Sequence, residues 1–239
     1  MKKLLTIAAL ASAAAASAVE IEVGTVGVTE ITPAAKNTII ATSYNELDGS
    51  GAMAVSNIVK TGNLPEGTKL YALNGANVYE GYTLTFVSGS SGPKYWARDN
   101  NYTVSAAGVL GGGTASSETT KQSLSVGQGF WISLPSAPTT EKIYVYGKPP
   151  ADTNVLVTAR STVLVGNPKQ TAATPDPDGA AKGDKILVFD GSSKWPTTYI
   201  SNGSKWRNSS TRVEGLPSIN AGTGFWYLSG GSSNVTIKW

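Results

Sequence analysis

Sixteen carboxylates and six tryptophans carry most of the chemistry open to this chain, because it contains neither histidine nor cysteine. Without histidine there is no Ser-His-Asp triad, no ordinary general base near neutral pH and no imidazole ligand for a transition metal. Without cysteine there is no thiolate nucleophile, no thiolate metal site and no disulfide. Two carboxylates across a cleft would suffice for glycoside hydrolysis, but the acids are dispersed and none sits in a catalytic motif. The expectation is therefore a protein that is not an enzyme, with no catalytic residue and no cofactor. One local cluster of acids stands apart. Asp176-Pro177-Asp178-Gly179, with Asp184 beyond it, begins as a calcium loop does, with short acids spaced around a glycine bend. No acid follows at the closing position. Asp176, Asp178 and Asp184 are thus a weak calcium candidate beside the plainer reading of a solvated Pro-Asp turn. Gly127-Gln128-Gly129 and Gly222-Thr223-Gly224 are not phosphate loops, since no lysine and no helical pattern follows them; they read as bends feeding a strand.

The aromatic residues say more. Trp96, Trp131, Trp195, Trp206, Trp226 and Trp239 all fall in segments that read as strands. Neighbouring side chains of a strand face opposite ways, so Phe225 and Tyr227 share one face and Trp226 takes the other. Two roles stay open. In one, the indoles pack in the core of a small β domain. In the other, Trp96, Trp131, Trp195, Trp206, Trp226 and Tyr227 form an exposed platform on which a polysaccharide stacks its sugar rings.

The elements that position these residues come as a repeat. Residues 67–75 (GTKLYALNG) align with 183–191 (GDKILVFDG), each a strand ending in an Asn-Gly or Asp-Gly hairpin turn. Residues 124–134 (LSVGQGFWISL) align with 219–229 (INAGTGFWYLS), and 37–42 (NTIIAT) with 161–166 (STVLVG). Between the anchors each copy adds two aromatic strands, and the first copy carries a Gly/Ser/Thr-rich insertion near 105–123 that reads as a mobile loop. Three further segments, 20–24, 142–147 and 234–239, alternate apolar with polar or aromatic residues as half-buried strands do. Two modules with three such strands leave one to spare. From this, residues 19–32 are expected to pair with a sheet edge beside Ile237 or Ile143, in the same chain or in a neighbouring one.

The segments 185–191 and 222–227, together with Trp206, resemble repeat modules of uncharacterised exported bacterial β proteins. That resemblance covers both copies in outline and implies no activity, cofactor or site residue.

Upstream of the repeat, Met1-Lys2-Lys3, the apolar run Leu4 to Leu10 and the small residues closing at Ala16-Ser17-Ala18 have the order of a secretory signal peptide. Residues 1–18 hold two lysines and no acid, so their removal lowers the formal charge from +3 to +1. A neutral surface offers no footprint for nucleic acid, and no later segment is long and apolar enough to span a membrane as a helix. Charged residues are only 15% of the chain, and the abundance of Gly, Ser, Thr, Asn and Val favours short strands and tight turns. The expected fold is all-β: two tandem antiparallel sandwich-like or barrel-like modules, 19–138 and 139–239, behind the signal peptide. The expected role is a secreted, cell-surface or periplasmic structural subunit that self-associates by strand addition. The alternative is a glycan-binding or adhesin module. An outer-membrane barrel is a third reading, because the chain ends on alternating Val235, Ile237 and Trp239.

Overall fold

Alternating apolar residues bounded by glycine-rich bends produce strands throughout. The computed structural model describes residues 26–31, 37–47, 52–54, 64–73, 79–86, 94–98, 103–104, 110–111, 123–135, 142–189 and 196–239. The expected signal peptide, most of the 105–123 insertion and the two hairpin turns at Asn74-Gly75 and Asp190-Gly191 lie outside the described residues. Among the described residues every regular element is a β-strand, and no helix is long and apolar enough to cross a membrane. In chain order the first eleven strands are β1 (Gly27–Ile31), β2 (Asn37–Ala41), β3 (Ala52–Ala54), β4 (Lys69–Leu73), β5 (Tyr79–Phe86), β6 (Lys94–Arg98), β7 (Thr103–Val104), β8 (Leu110–Gly111), β9 (Ser123–Ser125), β10 (Gly129–Ser133) and β11 (Ile143–Gly147). They are followed by β12 (Val155–Val157), β13 (Thr162–Gly166), β14 (Asp176–Asp178), β15 (Lys185–Val188), β16 (Thr197–Ser201), β17 (Trp206–Asn208), β18 (Gly224–Leu228) and β19 (Val235–Lys238).

Two five-stranded antiparallel sheets dominate, with orders β2-β10-β4-β5-β6 and β13-β18-β15-β16-β17. Exchanging each strand for its counterpart in the repeat turns one order into the other. Trp131 lies opposite Ile39 and Tyr71, and Trp226 opposite Leu164 and Leu187, so the hairpin strands and the Gly-x-Gly strands match as aligned, while the leading strands shift by one residue and 37–41 corresponds to 162–166. The period-2 pattern sorts each central strand into two faces. Phe130 and Ile132 of β10 are fully buried while Trp131 and Ser133 are half-buried, and β18 repeats this with Phe225 and Tyr227 inward and Trp226 and Leu228 outward.

The inward faces meet short sheets that close each half. In the first, β1 pairs with β11, Ile31 opposite Ile143, and Ile31, Ile143 and Val145 join Ile40, Leu70, Phe130 and Ile132 in one buried cluster. In the second, β12-β19-β14 supplies Val155, Val157, Val235 and Ile237 to a cluster with Ile186, Phe225 and Tyr227. Each fully buried aliphatic or aromatic side chain adds about 1.5–3 kcal/mol. The expected boundary at 138/139 would cut β11 away from the strand it pairs with, so the pairing puts the division within 148–154. Alternation marks a half-buried strand without saying which core it covers. Of the three segments expected as equivalent closing strands, two are described. β11 and β19 are counterparts, β1 corresponds to β12, and residues 20–24 lie outside the described residues. β1 falls within residues 19–32, and it takes the expected edge beside Ile143 in the same chain.

Candidate functional site

Trp131 on β10 and Tyr71 on β4 are cross-strand partners, so their rings sit side by side on the outward face of the first sheet. Trp226 on β18 and Leu187 on β15 do the same on the second. These outward faces border one open groove of about 520 Å³ lined by Tyr71, Trp131, Thr162, Leu187, Phe189, Trp226 and Leu228. Phe189 reaches across from the second half and meets Trp131 edge to face, with ring centroids 4.9 Å apart and planes at 88°. Aromatic edges and faces arranged this way attract one another, and the contact fixes one indole wall. The groove has the size of small-ligand sites and an almost wholly apolar lining.

The structure splits the aromatic set expected from sequence. Trp131 and Trp226 come together in the groove. Tyr227 is fully buried and so offers no stacking surface, and Trp206 packs against the second core with its ring 6.1 Å from that of Tyr227. Trp96 is placed on β6, but its side chain, like all of Trp195, lies outside the described residues. Trp239 lies against Phe225, 5.9 Å between centroids. Sequence reasoning missed Tyr71, Thr162, Leu187, Phe189 and Leu228. Tyr71 and Leu187 were within reach, since they occupy the same place in the aligned hairpin strands; the crossing of Phe189 onto Trp131 had no local signal.

The three candidate calcium ligands are not brought together. Asp178 pairs with Lys238, Oδ2 to Nζ 2.7 Å, and that ammonium holds its carboxyl below the ordinary aspartate range. Asp176 lies opposite Lys238 in the same ladder. Asp184 is fully buried elsewhere. Its Oδ2 accepts from the Tyr227 hydroxyl at 2.8 Å and the Ala181 amide at 3.0 Å, and its Oδ1 from the Gly230 amide at 2.8 Å. Burial, and then the Asp184 carboxylate, push the Tyr227 phenol far above its usual range. Asp184 is therefore a structural acceptor that ties the start of β15 to the end of β18. Among the described residues no group of three acids is placed to hold a metal. In the first half the repeat puts Thr68 and Ile132 where Asp184 and Tyr227 stand, and Thr68 bonds the Pro65 carbonyl at 2.7 Å instead.

No protein-family model matches the chain, and no curated protein or solved structure shows significant similarity to it.

Proposed function

We propose that the chain is an exported, non-catalytic binding subunit that holds a polysaccharide by stacking sugar rings in the groove between Trp131 and Trp226. The observation that carries this reading is the convergence of two repeat-equivalent indoles, one from each sheet, on one open apolar groove. A pyranose ring has an apolar C–H face that stacks on indole, whereas a charged ligand would find no counter-charge among the lining side chains. Export follows from the leader pattern of residues 1–18 and would deliver the groove to the compartments where such polymers lie. Each stacking indole is worth about 0.5–1.5 kcal/mol, so removing both weakens binding by about one to two orders of magnitude. Affinity electrophoresis in gels containing soluble β-glucans, with pull-down on insoluble cellulose and chitin, tests this. The full chain is expected to be retarded by at least one polymer, and Trp131→Ala/Trp226→Ala is expected to migrate freely with an unchanged circular-dichroism spectrum. Equal retention of the double variant, or no retention of the parent by any polymer, refutes the assignment. A second reading, a self-associating structural subunit, draws support from the self-complementary contact described next.

A further inference from the structure

The contact between the two halves is made from pairs of equivalent residues. The Ala41 amide donates to the Gly222 carbonyl at 2.8 Å, and the Gly166 amide donates to the Gly127 carbonyl at 2.8 Å. The sheet registers set Ala41 opposite Gly129 and Gly166 opposite Gly224, which makes Ala41 the counterpart of Gly166, one place on from the alignment of 37–42 with 161–166; Gly127 is the counterpart of Gly222, so this is one bond drawn twice. Two isolated bridges obey the same exchange: Ile40 opposes Thr223, and Val165 opposes Gln128. Packing follows suit. Gly222 has φ +70° and abuts β1, where an added Cβ would lie 2.7 Å from Ile31 and 2.8 Å from Thr29. Gly127 has φ +81° and abuts Val155 of β12. Each half sets its Gly-x-Gly bend against the first strand of the other. A contact in which i meets j and j meets i is isologous, the geometry of a two-fold dimer, here joined within one chain.

A residue on such an axis meets its own counterpart, and Ala41 and Gly166 are that pair. A Cβ added to Gly166 would lie 2.6 Å from the Ala41 Cα and collide with the Ala41 Cβ. One methyl group fits at the axis and two do not. First half on first half would oppose Ala41 to Ala41, whereas first half on second half opposes alanine to glycine.

We propose that this surface is exchangeable between molecules: its intermolecular partner is the opposite half of a second copy of the chain, and the Ala41–Gly166 contact bars the like pairing of two first halves. The hinge is the connection 148–154. Lys148 is fastened to Asn45 by two backbone hydrogen bonds of 2.9 and 3.0 Å, and Pro149-Pro150 then makes the connection stiff and extended. Exchange of complementary halves across a short connection is a low-cost route to a dimer. Because the groove draws its walls from both halves, a reciprocal dimer carries two complete grooves and binds a polymer at two points. The pairing itself holds whatever the groove binds.

The test uses full chains with two different affinity tags, mixed at high concentration, warmed to just below unfolding, cooled and purified through both tags in turn. Wild type is expected to yield a mixed-tag dimer by light scattering, and Gly166→Val to reduce that yield at least tenfold. Mixing Gly166→Val with Ala41→Val, which damages the other half, is expected to restore a one-to-one complex through the two intact halves. Since Gly166→Val could fail to fold, Gly166→Ala is compared with Ala41→Gly/Gly166→Ala, which keeps one methyl at the axis and is expected to regain both the melting temperature and the exchange of wild type. No mixed-tag dimer from wild type, an undiminished yield from Gly166→Val, or no rescue in the Ala41→Gly/Gly166→Ala chain overturns the proposal.

Discussion

Asp184 is a fully buried acid with three donors and no cation in its hydrogen-bond set, which makes the cost of altering it calculable. Replacing it with asparagine keeps its shape but converts one oxygen to an NH2 group. Whichever way the amide turns, that NH2 faces a backbone donor: the Gly230 amide on one side or the Ala181 amide on the other. One charge-assisted hydrogen bond is then lost, about 1.5–3 kcal/mol, and one buried N–H is orphaned, about 1–3 kcal/mol. Asp184→Asn is thus expected to destabilise by about 3–5 kcal/mol. Tyr227→Phe removes only the hydroxyl donor and is expected to cost about 1.5–3 kcal/mol. Asp184→Thr/Tyr227→Ile installs the pair found at the same place in the first half, Thr68 and Ile132, and removes both polar partners together; its cost should fall below the sum of the two single replacements. Guanidinium unfolding followed by tryptophan fluorescence reads these values, with Trp206 beside Tyr227 as reporter. The alkaline limb supplies a second check. The folded chain holds the Tyr227 phenol protonated above its ordinary range, so the stability it contributes is fully present below about pH 10, where the unfolded phenol ionises. That stability declines as pH rises further, while the folded phenol stays neutral. Tyr227→Phe removes this share of the alkaline loss. An Asp184→Asn cost smaller than that of Tyr227→Phe would show that the carboxylate is not the acceptor described here.

Two other outcomes follow from burial and charge. Phe225 is fully buried and Leu156 is 67% exposed, so Phe225→Ala should cost about 3–5 kcal/mol and Leu156→Lys should stay within about 0.5 kcal/mol of the parent in the same unfolding assay. Glu214 is held below the ordinary glutamate range by hydrogen bonds from Lys205 and Arg207 at 2.9 and 3.1 Å. Its contribution is present above the unfolded carboxylate range and disappears as pH falls through the lower folded value; Glu214→Gln should flatten the acid limb of a melting-temperature profile taken from pH 6 to pH 2, most visibly at low salt.

The sheets were legible because the repeat carries register as well as content. Once 67–75 was laid on 183–191 and 124–134 on 219–229, the alternation at Phe225, Trp226 and Tyr227 gave the faces, and the structure places Phe225 and Tyr227 inward and Trp226 outward. The closing strands were less legible. Residues 142–147 show the right alternation, and the count of such strands pointed residues 19–32 to the edge beside Ile237 or Ile143; β1 takes the edge beside Ile143 from more than a hundred residues upstream, a choice between two edges that no local pattern encodes. Exposure of the indoles was decided by neighbours in other strands. Trp206 is drawn toward the core by Tyr227, and Trp131 is kept at the groove by Phe189. The acidic cluster misled because spacing along the chain does not fix burial: Asp178 ended in a ladder opposite Thr236 with its carboxylate paired to Lys238, and Asp184 ended buried against Tyr227 of the second core.

The groove inherits its symmetry from the repeat and its direction from where the repeat has diverged. Trp131 and Trp226 are counterparts, and the near two-fold contact around Ala41 and Gly166 brings both to one opening. Their flanks are unlike. Beside Trp131 stands the phenol of Tyr71, whereas the equivalent position beside Trp226 is Leu187. The second half also lines the groove with Leu228, whose counterpart in the first half is the polar Ser133. A perfectly two-fold groove would accept a polymer in either direction with equal energy. Here Tyr71 flanks one indole and Leu187 the other, so under the proposed reading a ligand that itself has direction, as a glycan chain does, meets two unlike ends. The same divergence that puts a single methyl group on the axis, and so orders the halves, therefore also orients whatever the halves hold between them.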